Sequence, residues 1–337
     1  MNYSTIDFNS KTILITGGAG FIGSNLAFYF QNNYPKATVV LFDSFRSGET
    51  FSNGNLKSFG HYKNLIGFKG IVISGDITNY ITLQDLEDSY NFDYIFHQAA
   101  ISDTTVEEQD LMIKTNVNAY EELLKIAIRQ GANMIYASSA ATYGDSNRFE
   151  VGYEQPNNVY GFSKVMMDNI SYKYIKKGLD ISVVGLKYFN VYGEKEFFKN
   201  STASMVIQFG HQILAGKTPK LFEGSNNILR DFIYIEDVIQ ANIKACSPKI
   251  SGVYNVGTGK ARSFEDIVTI LQKLLEIDNG KEYIPNPFIG QYQFFTQANI
   301  ETSREMLNYE PQFEMEEGIK AYLPEIKRMF EKEVKNV

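Results

Sequence analysis

TILITGGAGFIGSNLAFYF, residues 12–30, reads as a buried strand, a glycine-rich turn and the start of a helix. Gly17, Gly20 and Gly23 follow GxxGxxG spacing: the first permits a tight turn, the second lets backbone approach a ligand, and the third allows close helix–strand packing. The N–H groups and dipole at the start of such a helix favour a bound diphosphate. Asp43 ends the second predicted strand, as this motif requires. Together these features predict a dinucleotide site.

Short apolar runs alternate with longer helical patterns through the first half of the chain. Six runs predict strands, at residues 12–16, 37–43, 70–74, 92–97, 133–139 and 181–187. Helix-length segments separate several of them, such as residues 21–32 and 115–130. The runs are continuously rather than alternately hydrophobic, which is typical of parallel strands buried on both faces. The pattern predicts an α/β fold with a doubly wound parallel sheet of the Rossmann type.

The alternation changes after about residue 190. Helices are predicted over residues 204–215 and 263–277, whereas GVYNVGT, residues 252–258, reads as one more core strand. The chain is therefore expected to return to the first domain. We predict a dinucleotide-binding domain of residues 1–190 with a return segment at about 232–257. A smaller interleaved α/β lobe comprises residues 191–231 and 258–337.

Composition argues against several classes of function. The net charge of −7 and pI near 5.2 argue against nucleic acid as the main partner, because phosphate binding requires a basic face. The single cysteine, Cys246, fits a reducing cytoplasm, and the three histidines lack metal-ligand spacing, so we expect no metal site. The start MNYSTIDFNSK predicts no signal peptide, and no run approaches the roughly 18 apolar residues of a membrane span. We expect a cytoplasmic protein that does not contact membranes.

NVYGFSKVMMD, residues 158–168, reads as helix and places Tyr160 and Lys164 one turn apart on one face. Alone, the pair also suits an amphipathic helix with a solvated lysine. Upstream, however, a predicted strand ends in Ser138 and Ser139, and strand ends face the ligand crevice of a doubly wound sheet. A serine there can bind a substrate oxygen while Tyr160 transfers its proton. We expect Lys164 and the positive nicotinamide ring to lower the pKa of Tyr160 from about 10.

Three motifs in this order, GGAGFIG, ASSAATYG and YGFSK, resemble the extended short-chain dehydrogenase/reductase superfamily, which acts on nucleotide sugars. The resemblance implies a catalytic triad of Ser139, Tyr160 and Lys164, with Asn116 as the supporting asparagine of the adjacent helix. Nucleotide-sugar 4,6-dehydratases share the fold and the Tyr/Lys pair. They use an Asp-Glu pair directly after the strand-end hydroxyl residue, and two alanines follow Ser139 here. That reaction is therefore excluded.

The second half of the chain resembles the ADP-glycero-manno-heptose 6-epimerases of the lipopolysaccharide inner-core pathway. The segments that carry this resemblance are YFNVYGEKEFFKNSTASM, KLFEGSNNILRDFIYIEDV and GQYQFFTQANI. It implies that Lys199 is a second acid–base residue opposite the tyrosine, although its position alone suits a solvated loop lysine. The implied reaction removes hydride from C6 of the heptose and returns it to the other face of the ketone. The cofactor is regenerated in each turnover.

The resemblance also implies two sets of binding residues. The cofactor set is Gly17, Gly20, Phe21, Ile22, Gly23, Asp43, Ser44, Arg46, Asp76, Ile77, Gln98, Ala99, Ala100, Asn116, Tyr160, Lys164 and Val191. The nucleotide-sugar set is Ser102, Asn190, Lys199, Ser201, Gln208, Phe222, Glu223, Gly224, Ser225, Arg230 and Tyr292. A guanidinium such as that of Arg230 matches phosphate oxygens bidentately, with a structural ion pair to Asp231 or Glu236 as the alternative.

Several alternatives stay open at this level. Asp43 favours NAD through the ribose 2′-hydroxyl, whereas Arg46 favours NADP through a 2′-phosphate unless it is an exposed loop cation. We expect tightly bound NADP, with NAD as the alternative, and an insertion at residues 44–68 that covers the adenosine end. A ketoreductase or another nucleotide-sugar epimerase is the alternative enzyme, and an intact triad argues against a non-catalytic binding protein. The family forms homo-oligomers, which we also expect here.

Overall fold

The computed structural model describes residues 3–286 and 294–335. The strands in these ranges are β1 Thr12–Thr16, β2 Thr38–Asp43, β3 Ile71–Ser74, β4 Tyr94–His97, β5 Asn133–Ser139, β6 Val183–Tyr188, β7 Asn190–Tyr192, β8 Lys220–Phe222, β9 Leu229–Tyr234, β10 Gly252–Val256, β11 Ala261–Ser263 and β12 Glu282–Ile284. Seven of them form one sheet in the order β10-β6-β5-β4-β1-β2-β3, and every pairing in it is parallel. The predicted parallel sheet is confirmed.

The α-helices are α1 Phe21–Asn33, α2 Tyr80–Ser89, α3 Gln109–Met112, α4 Ala119–Gln130, α5 Val159–Ile175, α6 Met205–Leu214, α7 Ile235–Lys244, α8 Phe264–Leu275, α9 Glu301–Leu307 and α10 Met315–Met329. Two π-helical segments, Ile113–Asn118 and Phe330–Val334, extend α3 and α10. The helix predicted at residues 115–130 therefore begins earlier. Among the described residues, four 3₁₀ turns lie at Tyr62–Leu65, Ala140–Thr142, Phe197–Thr202 and Ser225–Asn227. Within the described ranges, none of the helices combines the length and apolarity needed to span a bilayer.

Helices cover both faces of the large sheet. On β1, Ile13 and Ile15 belong to the same buried cluster as residues of α1 and α7. Leu14 points the other way and belongs to the cluster formed with α2, α4 and α5. Successive strand residues therefore bury on opposite faces, which explains the continuous hydrophobicity of the strands and confirms the doubly wound arrangement.

One predicted strand differs in its burial. The apolar run at residues 70–74 predicts a buried strand, but β3 lies at the sheet edge beyond β2. Ile71 and Val72 are 36% and 45% exposed. The prediction of a strand is confirmed and the prediction of its burial is wrong. An edge strand pairs on one side only, and single apolar residues at a surface are common.

Two small sheets follow the large one. β7 pairs with β9 in parallel, and β9 pairs with β11 in the antiparallel direction. β8 pairs with β12, and α6 packs against α8 and α10. β10 returns to the large sheet beside β6, although β9 crosses the predicted boundary at residue 232. The proposed division into a dinucleotide-binding domain and an interleaved lobe stays a prediction.

Candidate active site

A cavity of about 320 Å³ opens where the parallel strands end. Residues at the carboxyl ends of five neighbouring strands line it: Gly17 after β1, Asp43 on β2, Gln98 after β4, Ser139 on β5 and Tyr188 on β6. Doubly wound folds bind their ligands in the crevice at this edge of the sheet. The cavity is therefore the candidate active site.

Most of the predicted cofactor residues line this cavity. They are Gly17, Gly20, Phe21, Ile22, Gly23, Asp43, Ser44, Asp76, Ile77, Gln98, Ala99, Ala100, Tyr160, Lys164 and Val191. The four predicted catalytic residues also line it: Ser139, Tyr160, Lys164 and Lys199. Ser102 and Lys199 are the members of the predicted sugar set found on the wall of this cavity.

The glycine-rich turn between β1 and α1 forms a cradle for an anion. Gly17 has a φ of +68°, a left-handed conformation that favours glycine. A Cβ atom on Gly23 would lie 2.2 Å from the Gly17 carbonyl oxygen, so close packing of α1 requires glycine there. α1 begins with neither a side-chain cap nor an acidic residue in its first turn. Its first N–H groups are thus available to a phosphate, and the turn fits the diphosphate of a dinucleotide.

Gly20 provides a test of this cradle. A Cβ atom there would lie 3.2 Å from the Gly17 carbonyl oxygen, a tight contact that a small shift of the turn must relieve, and φ is −78°, which alanine can adopt. The added methyl group would lie beside the proposed phosphate position. We expect Gly20→Ala to weaken dinucleotide binding about 10- to 100-fold by displacing charge-assisted hydrogen bonds. Titration calorimetry on cofactor-stripped protein measures this. Gly252→Ala, with a similar Cβ contact of 3.3 Å but outside the cavity wall, is the control and should bind normally. Parent-like affinity in Gly20→Ala would refute the cradle.

Asp43, at the end of β2, is largely buried. Its carboxylate accepts hydrogen bonds from the N–H groups of Ala19, at 3.0 Å, and Phe45, at 2.8 Å. Burial raises the pKa of Asp43, and these backbone bonds oppose the increase. A Cβ atom on Gly60 would lie 2.1 Å from the Asp43 Oδ1 atom, which shows how closely the following loop packs over it. Asp43 thus joins the glycine-rich turn to the loop after β2.

The insertion at residues 44–68, here called the insertion loop, forms part of the cavity wall. Besides the predicted Ser44, the wall includes five loop residues that the sequence did not suggest as contacts: Phe51, Lys57, Ser58, Phe59 and Gly60. At the tip of the loop, Asn53 and Asn55 donate hydrogen bonds to Asp103 at 3.1 and 2.7 Å. Phe51 packs in a buried cluster that includes Tyr160. The loop therefore spans the cavity from the end of β2 to α5, which carries Tyr160.

The insertion loop also contacts the 3₁₀ turn Phe197–Thr202, here called the Lys199 turn. The Arg46 guanidinium donates a hydrogen bond to the Phe198 carbonyl oxygen. The His61 ring stacks on the Phe198 ring with a centroid distance of 3.8 Å and an interplanar angle of 2°. The alternative of Arg46 as an exposed loop cation is therefore wrong. Arg46 also lies outside the cavity wall, away from most of the other predicted cofactor residues.

Tyr160 and Lys164 lie one turn apart at the start of α5, and both side chains are buried on the cavity wall. The helix begins at the Asn158 cap, whose side chain accepts a hydrogen bond from the Gly161 N–H at 2.8 Å. The Lys164 ammonium donates a hydrogen bond to the Ala137 carbonyl oxygen at 2.7 Å and lies 5.7 Å from the Tyr160 ring centroid. The alternative of a solvated surface pair is thus wrong.

Burial dominates the electrostatics of this pair. It raises the pKa of Tyr160, and a hydrogen bond with Ser139 offsets only part of the increase. Burial also lowers the pKa of Lys164 to about 8, although the charge of Asp168 opposes the decrease. The sequence predicted a lowered pKa for Tyr160. Without the nicotinamide ring this prediction is wrong, because burial raises the pKa and the Lys164 ammonium is hydrogen-bonded to the Ala137 carbonyl oxygen. At neutral pH the phenol is protonated and can donate.

Asn116 lies behind the wall rather than on it. It is fully buried in the π-helical segment Ile113–Asn118. Its Oδ1 accepts a hydrogen bond from the Ile101 N–H at 2.9 Å, while its Nδ2 donates to the Ile101 carbonyl oxygen and the Ser163 hydroxyl, both at 3.0 Å. Asn116 therefore fastens the loop after β4 to α5. This placement suits the supporting role, and Asn116 as a cofactor contact stays a prediction.

Lys199 reaches the cavity from a different element than Tyr160. Its ammonium lies 5.7 Å from the centroid of the Phe21 ring, at the start of α1. Among the described residues, no acceptor or carboxylate lies within bonding distance of this ammonium. Burial lowers the pKa of Lys199, and Glu196 opposes the decrease. Lys199 is therefore not a solvated loop lysine, and a desolvated amine with a lowered pKa is suited to proton transfer.

The remaining predicted sugar residues that the structure describes lie outside this cavity wall. Asn190 on β7 and Arg230 on β9 occupy adjacent strands, and Arg230 is 7% exposed. Gln208 on α6 donates a hydrogen bond to the carbonyl oxygen of Ser201, in the Lys199 turn, at 3.3 Å. Another group surrounds the end of β8: Phe222, Glu223, Gly224 and Ser225. Tyr292 lies outside the described residues.

Other residues of the wall were absent from both predicted sets. They are Phe42, Phe51, Lys57, Ser58, Phe59, Gly60, Gly75, Ile101, Asp103, Thr115, Ala137, Ser138, Tyr188 and Phe189. Gly75, Tyr188 and Phe189 follow or end strands, so the strand-end rule that indicated Ser139 also points to them. Phe51 and Lys57 carry no comparable local signal, because only the tertiary fold brings the insertion loop to the cavity.

A glycine cradle lies at the same strand ends as Ser139 and the buried Tyr160 and Lys164. Together these features define a dinucleotide-dependent enzyme of the α/β class. Comparison with protein families agrees, since residues 13–257 match the NAD dependent epimerase/dehydratase family. The chain belongs to this family and uses a nicotinamide dinucleotide.

Solved structures similar to this chain include nucleotide-sugar epimerases. One is ADP-L-glycero-D-manno-heptose-6-epimerase from Helicobacter pylori, with 51% identity, a TM-score of 0.86, and coverage of 97% of this chain and 99% of that chain. UDP-glucose 4-epimerase from Thermotoga maritima has 25% identity and a TM-score of 0.83, with coverage of 94% and 99%. UDP-N-acetylglucosamine 4-epimerase from Methanobrevibacter ruminantium has 25% identity and a TM-score of 0.81, with coverage of 95% and 99%. The resemblance to heptose 6-epimerases is thereby confirmed.

Proposed function

We propose that this protein is an isomerase that interconverts ADP-D-glycero-D-manno-heptose and ADP-L-glycero-D-manno-heptose at C6, for lipopolysaccharide inner-core synthesis. The observation that carries the proposal is that Tyr160 on α5 and Lys199 on a separate turn line one cavity. Similarity to the Helicobacter pylori enzyme over nearly the whole of both chains supports the choice of sugar. A ketoreductase needs one proton donor, whereas an epimerase benefits from two at different positions.

A nicotinamide dinucleotide held at the glycine-rich turn would supply a hydride acceptor and return the same hydride, so that no net oxidation would occur. The protein residues handle the proton of the C6 hydroxyl. Either Tyr160 or Lys199 accepts that proton as C6 becomes a carbonyl. After the carbonyl has turned its opposite face toward the nicotinamide position, the other residue donates a proton to the carbonyl oxygen. Ser139 donates a hydrogen bond to the oxygen on the Tyr160 side. Each positioned acid–base group contributes on the order of 10²–10⁴ in rate.

The nucleotide sugar extends from this cavity toward the second part of the chain in our proposal. Arg230 binds the diphosphate, because a guanidinium can hold two phosphate oxygens at once. Asn190 and Ser201 border the sugar between Arg230 and Lys199. The lobe of residues 191–231 and 258–337 then serves as the nucleotide-sugar domain, and Tyr292 belongs to it.

NADP is the cofactor that we propose. Lys57 lies on the cavity wall, as do Ser44 and Ser58 beside the end of β2, and these groups suit a 2′-phosphate. The Asp43 carboxylate, which would repel that phosphate, is largely buried and bonded to two backbone N–H groups. NAD binding relies on such a carboxylate being free for the ribose hydroxyl.

Lys57→Ala tests the choice of cofactor. The Lys57 ammonium is 3.2 Å from Glu49 in a partly exposed pair, so its removal costs little stability. We expect NADP affinity to fall about 10-fold, since a hydrogen bond to a charged group contributes about 1.5–3 kcal/mol. NAD affinity should not change, which makes NAD the control ligand in the same titration. Equal losses for both, or tighter NAD binding by the parent, would exclude the assignment.

The reaction itself is tested by proton NMR of ADP-D-glycero-D-manno-heptose with purified protein and no added dinucleotide. Appearance of the L-glycero epimer supports both the reaction and a tightly bound, recycled cofactor. Absence of conversion, even after NADP and then NAD are added, would reject this substrate. Conversion only with stoichiometric reduced cofactor would favour the ketoreductase.

The setting of the enzyme is part of the proposal. The single cysteine favours the cytoplasm, where thiols stay reduced. We expect a homo-oligomer, as in the resembling family. Sedimentation of the purified protein measures its oligomeric state.

A further inference from the structure

The Lys199 turn is built around a second buried ionisable residue, Glu196. Burial raises the pKa of Glu196, and the charge of Lys199 and the hydrogen bonds from Ser204 and Gly193 oppose the increase. Glu196 has no exposed surface. Its carboxylate accepts hydrogen bonds from the N–H of Gly193 at 3.2 Å and from the N–H and hydroxyl of Ser204, both at 2.7 Å. Its carbonyl oxygen accepts the N–H of Lys199 at 2.9 Å. One residue thus connects the chain before the turn, the chain after it and the lysine itself.

The backbone between these anchors adopts uncommon conformations. Lys195 has a φ of +71°, and Asn200 has a φ of +54° with a ψ of −124°. Residues other than glycine rarely adopt positive φ, so surrounding contacts must hold them. The hydrogen bonds from Gly193 and Ser204 to the Glu196 carboxylate lie at the two ends of this segment and hold it in place.

We propose that Glu196 is a positioning residue for Lys199. Its carboxylate fixes the turn that directs the lysine into the cavity, and its negative charge favours the ammonium form. Glu196 itself does not line the cavity wall, so it acts through Lys199. The inference rests on the proposed role of Lys199 as an acid–base residue.

Electrostatics gives the proposal a measurable signature. The titratable groups that face Glu196 are Lys199 from its own turn, Tyr192 from β7 and Tyr322 from α10. Burial raises the pKa of both tyrosines, so both stay neutral near pH 7. Burial lowers the pKa of Lys199, and the charge of Glu196 opposes this. Removing that charge therefore lowers the pKa of Lys199 further.

Glu196→Gln keeps the size of the side chain and removes its charge. We expect kcat for epimerisation to fall about 10- to 100-fold, as for a misplaced catalytic group. KM and dinucleotide affinity should change far less. The limb of the kcat–pH profile that belongs to Lys199 should move to lower pH. Parent-like kcat and an unmoved profile would overturn the proposal.

A matched control separates positioning from folding. Asp237 on α7 is also fully buried, and its carboxylate accepts hydrogen bonds from two backbone N–H groups at 2.8 and 3.1 Å, outside the cavity wall. Asp237→Asn should lower thermal stability but leave the pH profile in place. A shift of the profile equal to that of Glu196→Gln would overturn the proposal.

Two further variants keep the test decisive. Ser204→Ala removes one anchor and keeps the charge, so it should lower kcat less and leave the pH profile unmoved. If Glu196→Gln does not fold, parent-like kcat in Ser204→Ala overturns the proposal. Lys199→Ala tests the underlying function: if it remains active, the two-residue mechanism fails. If Lys199→Ala is impaired while Glu196→Gln and Ser204→Ala are not, the proposed role of Lys199 stands and the positioning role of Glu196 fails.

Discussion

Tyr160→Phe is expected to lower kcat for epimerisation by about 10³-fold, because positioned acid–base groups contribute on the order of 10²–10⁴ in rate. The substitution removes only the phenolic oxygen from a side chain that is buried at the start of α5. Its ring remains to pack against Phe51 and the other members of their buried cluster. Dinucleotide affinity and melting temperature should therefore stay close to those of the parent.

Tyr174→Phe is the matched control for this prediction. Tyr174 lies at the other end of α5, where its hydroxyl donates a hydrogen bond to Glu121 at 3.0 Å. The same atom is removed from the same helix, but outside the cavity wall. NMR rates for both variants, with calorimetric titration of the dinucleotide, separate chemistry from folding. A Tyr160→Phe enzyme with near-parent kcat would remove Tyr160 from the mechanism.

Local patterns predicted the parts of the site that local backbone geometry determines. The glycine spacing of residues 17–23 fixes a turn and a helix start, and Tyr160 and Lys164 meet because a helix repeats every 3.6 residues. Ser139 could be placed because parallel strands end at one edge of the sheet. Each of these arguments requires only a short stretch of chain and the fold class.

Properties that depend on tertiary packing escaped prediction. The insertion loop reaches the cavity through bonds such as Asn55 to Asp103, between residues 48 positions apart. The sequence suggested a charge partner for Tyr160, but not the burial that raises its pKa. The IVIS run of β3 has the composition of a core strand, yet its place at the sheet edge leaves it exposed. The burial of a side chain and the position of a strand within a sheet are set by the tertiary fold, so local sequence patterns did not predict them.

Lys199→Met is expected to lower kcat by about 10²–10⁴, since it removes one of the two acid–base groups that we propose. Methionine has a similar length and can rest against the Phe21 ring, which lies 5.7 Å from the lysine ammonium. Burial lowers the pKa of Lys199, so the folded protein disfavours this charge, and its removal should cost little stability. Lys217→Met, an exposed lysine after α6, controls for loss of a positive charge and should keep parent activity.

The Tyr160→Phe and Lys199→Met enzymes should differ in which of the two epimers they can oxidise. If Tyr160 and Lys199 serve opposite orientations of the C6 oxygen, each single variant retains one group able to accept the hydroxyl proton. In a single turnover, Lys199→Met should then reduce the bound dinucleotide with one epimer and not with the other, and Tyr160→Phe should show the reverse preference. Absorbance and fluorescence of the reduced nicotinamide measure this directly. If one variant failed to reduce the dinucleotide with either epimer, while the other variant reduced it with both, a single residue would serve both directions.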